Sequence, residues 1–208
     1  MKIKTISANV YGEPSVFEVI QYDYTDIPDI QIAFESWLKL KQQSNILHGR
    51  SPNIPECITE TCLCLVTNSV RFKKAKKLKS ASFDCFNILS EKTIQSKASS
   101  VSDDLTSFGP KTRWDTLYFL DFYNDGNTDG TFNVYEIPND LIYNSPVKEG
   151  RSLKESQNLG YRPRIHIKSQ IIVPNCIEPV DIAKDTDLME NVILPARIKP
   201  LEKGIKLW

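Results

Sequence analysis

SFDCFNILSEKTIQSKAS, residues 82–99, sets a short apolar strand carrying Asp84 beside a second short strand carrying Gln95 and Lys97. Side chains two apart on a strand point to the same face, so Gln95 and Lys97 project together. A hairpin closed around the polar turn Ser90–Lys92 brings Asp84 to that patch. A carboxylate, an amide carbonyl and an ammonium gathered on one sheet face suit Mg²⁺ and a phosphodiester. The same spacing also describes an ordinary hairpin whose polar face meets water, so the flanking sequence has to decide between the two.

The composition narrows the field. At 208 residues, 40% hydrophobic and 10% aromatic, the chain fits one globular domain. No apolar run reaches the roughly 20 residues of a membrane span, and MKIKTISANVYGEPS lacks the apolar core of a leader peptide. Five cysteines without CxxC spacing argue against a disulfide framework or a zinc knuckle and for buried free thiols in a cytoplasmic protein. The eight glycines form no phosphate-cradling loop, and neither His48 nor His166 belongs to a nucleophilic triad, so no organic cofactor and no side-chain nucleophile is expected. Net charge is zero but unevenly spread. Residues 71–113 hold ten Lys/Arg against four Asp/Glu, residues 148–170 hold six against two, and residues 114–147 hold six acidic residues and no basic one. That asymmetry suits a basic face for an anionic partner, and equally suits basic loops that keep a protein soluble.

Along the chain, Ile30, Phe34, Trp37 and Leu38 form one apolar stripe and predict a helix near 29–43. A second helix is predicted from 53 to 66, with Asn53 as cap and Pro55 in the first turn, placing Glu56 and Glu60 together on one side. RFKKAKKLKS reads as a surface loop or helix end. LYFLDFYNDGNTDGTFNVYEIP reads as two strands joined by an Asp/Gly-rich turn, and its spacing fails the requirements of a calcium loop. Ser152, Glu155 and Gly160 mark a short capped helix. In YRPRIHIKSQIIV a strict alternation sets Arg162, Arg164, His166 and Lys168 on one face of a predicted strand, a row able to lie along DNA or simply to face water. The segment from about 173 to 208, interrupted by Pro195 and Pro200, is expected to form a C-terminal arm.

Taken together, NIPECITE (53–60), the block from Thr93 to Pro138 and SLKESQNLGYRPRIHIKSQII (152–172) resemble a small family of type II restriction endonucleases. These are compact enzymes of the PD-(D/E)XK superfamily, some of which recognise a GC-rich site interrupted at its centre, GCNGC. The resemblance implies an α/β fold with a central mixed β-sheet flanked by helices, its catalytic core at about 53–172 of a single endonuclease domain. It implies that Asp84, Gln95 and Glu60 hold Mg²⁺ and that Lys97 is the motif lysine. Gln95 departs from the usual acidic residue and weakens the expected hold on the ion, unless Glu60 or Glu91 supplies charge. Arg162 and Arg164 are the expected base readers, with Lys168, Ser107, Lys111 and Arg113 as further DNA contacts. Double-stranded DNA is the expected partner, and a palindromic site implies a homodimer. A binding protein on a degenerate nuclease fold, and a repair or recombination nuclease that reads structure, remain the competing readings.

Overall fold

The computed structural model describes residues 1–75, 82–123, 126, 128–148 and 150–180. A seven-stranded mixed sheet organises them, in the order β1-β2-β3-β4-β5-β7-β8. The strands are β1 (Lys2–Val10), β2 (Glu13–Gln21), β3 (Val70–Ala75), β4 (Cys85–Asn87), β5 (Lys92–Ser99), β7 (Thr116–Asp121) and β8 (Asn133–Ile137). Neighbours are antiparallel except β5 and β7, which run parallel with Ile94 opposite Thr116 and Ser99 opposite Asp121. The register of that pair is fixed at its start by Asp115, whose carboxylate accepts from both the amide and the hydroxyl of Thr93 at 2.8 and 2.7 Å. A separate two-stranded ribbon pairs β6 (Thr106–Ser107) with β9 (Arg164–Ile165).

Period-two alternation in β7 explains how one sheet builds two cores. Leu120 faces α1 (Ile27–Ile46) and α2 (Glu56–Thr67) in a cluster with Phe34, Trp37, Ile58, Leu63, Phe122 and Phe132. Leu117 and Phe119 face the other way, onto Phe108, Trp114, α3 (Asn139–Asn144), α4 (Leu153–Asn158) and Ile165–Ile172. The expected mixed sheet between helices is therefore the observed architecture. No helix among the described residues is long and apolar enough to cross a membrane.

Several local readings need correction. Residues 1–21, read above only for the lack of a leader, form a β-hairpin. Tyr11 and Gly12 take φ of 55° and 87° at its tip, the left-handed pair that a two-residue hairpin turn requires. Asn53 is not the cap of α2: Pro55 occupies that position with no side-chain hydrogen bond, and the helix ends at left-handed Asn68. Residues 71–75 belong to β3 instead of a loop, because Val70 and Phe72 alternate inward against Phe17, Phe83 and Phe86. Residues 76–80 lie outside the described residues, as does the expected C-terminal arm from 181 onward. Of the five thiols, Cys62, Cys64 and Cys85 are buried but Cys57 and Cys176 are exposed. The basic strand shrinks to Arg164–Ile165 and continues as a wide helical turn over Lys168–Ile172. Its in–out alternation nonetheless holds: Pro163, Ile165 and Ile167 are buried while Arg162 and Arg164 are exposed.

Phe119 is fully buried at the centre of the sheet. Truncating it removes a ring's worth of contacts from a core that cannot collapse around it, so Phe119→Ala is expected to cost about 3–5 kcal/mol, read by urea denaturation.

Candidate active site

The β4–β5 hairpin forms with Phe86 opposite Thr93, and Asp84 stands one residue before its first strand. Asp84 donates its backbone amide to the Ile94 carbonyl at 2.9 Å, which fixes its side chain beside the middle of β5. There its carboxylate accepts from the Ser96 amide at 2.8 Å and from the side-chain amide of Gln95. Lys97, next outward on β5, holds its ammonium 5.4 Å from the centre of the buried Phe108 ring. Glu60 approaches from α2, itself buried and paired with the Nε of Arg71 from β3. Asp84, Glu60, Ser96 and Lys97 line a cleft of about 500 Å³, with Arg50–Ile54 and Glu56 on one side and Ser99–Thr106 on the other.

The expected DNA contacts fall into separate places. Arg162 and Arg164 line a second cleft, of about 530 Å³, with Lys148, Arg151 and Tyr161. Ser107 pairs in register with Arg164 across the β6–β9 ribbon. Lys168 does not stand in an outward row: its ammonium bonds the buried Asp121 carboxylate at 2.6 Å. The Nδ1 of His166 lies 2.7 Å from an Asp103 carboxylate oxygen, so two members of the expected row face acidic residues. Lys111 is exposed and Arg113 stacks over the Tyr11 ring at 4.1 Å, and neither lines the cleft. The described part of the basic run is likewise engaged, with Arg71 on Glu60 and with Lys73 and Lys74 on Glu18. Sequence reasoning missed Arg50, Asp103 and Asp104 at the cleft. The acidic pair six and seven residues beyond Lys97 was the one signal that could have marked the rim.

The sequence model of a family described as Bsp6I restriction endonuclease matches residues 22–174, a span containing every residue that lines the cleft. The chain is also 30% identical over 169 residues to the type II restriction enzyme Bsp6I of Bacillus sp. (strain RFL6), covering 80% of this chain and 92% of that one. No solved structure matches it significantly.

The electrostatics of the cleft are those of a place awaiting positive charge. Burial pushes the Asp84 carboxyl up to about 6, against the opposing help of the Ser96 amide and Lys97. Burial likewise pushes Glu60 up to about 7, outweighing its pairing with Arg71, and the charges of Asp84 and Glu56 add to the effect. Gln95 Oε1 is buried and accepts no hydrogen bond from the described residues, although nearly every buried polar atom in a folded protein is satisfied. Two strained carboxylates and a vacant carbonyl oxygen are a fitting donor set for a hard divalent cation. A folded-state pKa raised above the unfolded one contributes stability at low pH that is lost as pH rises. For Asp84 that loss runs from its ordinary 3.8 through about 6. Asp84→Asn stays neutral and keeps an acceptor for the Ser96 amide. In chelator, thermal melts at about pH 8 should therefore show the variant more stable than the parent by a few degrees, the two converging near pH 4.

Proposed function

Because the chain belongs to the Bsp6I restriction endonuclease family, type II enzymes that cut DNA at specific sequences, we propose that Asp84, Gln95, Lys97 and Glu60 form its catalytic centre, in the PD-(D/E)XK manner, with Mg²⁺ as cofactor. The observation that carries the reading is the contact of Asp84 with Gln95 beside Lys97, with Asp84 and Lys97 both lining the cleft. Asp84, the Oε1 of Gln95 and Glu60 would hold the ion, which when bound supplies Lewis-acid polarisation of the scissile phosphate and eases deprotonation of a neighbouring water.

The chain's own groups supply the rest. The ammonium of Lys97 has no acidic partner among the described residues. It rests over the Phe108 ring, free to meet a phosphate oxygen or to orient the attacking water as negative charge develops. Phe108 is wholly buried, so the lysine stem stands on a rigid support. Gln95 orients Asp84 through its amide while offering its carbonyl, and this division of labour is what the neutral residue brings in place of an acid. Arg162 and Arg164, exposed and without acidic partners among the described residues, are the proposed base readers, with Ser107 and Lys168 holding the segment that bears them. Lys111 and Arg113 are proposed phosphate contacts at its flank. The substrate is double-stranded DNA with a short GC-rich palindrome of the GCNGC kind, cut in the cytoplasm by a homodimer whose symmetry matches the site. The whole chain, with its C-terminal arm, is proposed as one endonuclease domain.

The test is a digest of unmethylated phage DNA with Mg²⁺, alongside EDTA. Lys97→Ala and Asp84→Ala should each abolish discrete fragments while still retarding DNA on a gel, and full cutting by both would overturn the assignment. Gln95→Glu should tighten Mg²⁺ binding measured by calorimetry, while lowering the metal-free melting temperature, because it sets a second charge against Asp84. If Arg164 reads a guanine, Arg164→Ala should cost about 1–3 kcal/mol of discrimination at one base position.

A further inference from the structure

The sixteen residues between β5 and β7, Ser100–Asp115, do two things at once. Their first part rims the catalytic cleft, through Ser100, Asp103, Asp104 and Thr106. They also grip the segment that carries Arg162 and Arg164, at four successive points. Asp104 accepts from the Ile167 amide at 2.7 Å through one carboxylate oxygen and from the Lys168 amide at 3.1 Å through the other. Thr106 and Ser107 pair with Ile165 and Arg164. The Phe108 amide donates to the Pro163 carbonyl at 3.0 Å, and Asp103 meets His166 at 2.7 Å.

A ribbon of two residues per strand is too short to hold a register by itself. Asp104, only 3% exposed, is the one buried charge among these contacts, and its two amide donors are the first free amides of the helical turn that ends the basic segment. A carboxylate capping two such amides fixes both the position and the direction of the chain that enters the turn. We propose that Asp104 is a positioning residue for sequence discrimination: it fastens the arginine-bearing segment to the rim of the catalytic cleft, so that Arg164 meets a base at a fixed distance from the scissile phosphate. This inference rests on the reading of Arg164 as a base contact. Burial raises the Asp104 carboxyl above its ordinary range despite the two amides, which is the strain expected of a charge kept for placement.

The experiment measures cleavage of the mapped site against the same duplex with one base pair changed, for the parent, Asp104→Asn, Asp104→Glu and Arg164→Ala. Asp104→Asn keeps one acceptor oxygen but turns an NH₂ against the other amide. It should lower the discrimination ratio about tenfold or more, as Arg164→Ala does, while Mg²⁺ binding by calorimetry stays at the parent value. Asp104→Glu, with both oxygens, should restore part of the ratio. A folded Asp104→Asn with the parent's ratio, beside an Arg164→Ala that has lost it, overturns the positioning role alone. An Arg164→Ala with the parent's ratio overturns the base-contact reading and this inference with it. Should Asp104→Asn fail to fold, hydrogen exchange of the parent decides. Segment 162–173 should gain more protection from the mapped site than from the altered one in EDTA, and equal protection overturns the proposal.

Discussion

The parallel pairing of β5 with β7 is the constraint on which the rest of the molecule depends. Parallel neighbours cannot be joined by a tight turn, so the chain must leave the end of β5 and return to the level at which β5 began. Here no helix makes the return. Residues 100–115 do, and they carry a buried ring, a buried tryptophan and a two-residue strand over the sheet face formed by Leu117 and Phe119. Because this crossover begins two residues after Ala98, its first turns border Lys97. Because it ends at Asp115, which locks Thr93, it also fixes the register of β5 against β7. The cleft rim and the placement of the basic segment are thus consequences of one connection.

The cleft concentrates cost where chemistry is proposed. Asp84 and Glu60 are both displaced upward by burial, and the Oε1 of Gln95, like the Oγ of Ser96 next to it in β5, has no hydrogen-bond partner among the described residues. A core optimised for stability alone would replace these groups. Their retention, beside a lysine supported on Phe108, matches a protein that keeps local instability for function and offsets it with three apolar clusters elsewhere.

How much of this was legible depends on the range of the interactions involved. The hairpin around Asp84, Gln95 and Lys97, the α1 stripe and the capping box of Ser152 and Glu155 are local patterns, and each forms as its spacing dictates. The mixed sheet followed from the family resemblance. What local reading could not supply is pairing between distant charges. The row Arg162, Arg164, His166 and Lys168 alternates in burial as expected, yet Asp103 and Asp121 come to two of its members from other elements. Glu60 shares its face of α2 with Glu56, but β3 brings Arg71 to Glu60 alone. The first hairpin did carry a local signal, in the β-branched residues on both sides of Tyr11–Gly12.

Those pairings change what the charge distribution means. A basic surplus read from sequence suggests a broad electrostatic surface, whose affinity would be set by counterion release and would fall steeply with salt. In the folded chain Arg71, Lys73, Lys74 and Lys168 are matched to carboxylates. Arg162, Arg164 and Lys111 keep no acidic partner among the described residues, and the first two stand at one cleft. Two exposed arginines at one cleft leave bidentate contacts to base edges available. For an enzyme that must ignore most of the DNA it meets, a chain of zero net charge is therefore no obstacle. On the proposed reading, the burden of recognition moves from the field of the whole protein to Arg162 and Arg164, whose segment is held by the crossover that the parallel strands require.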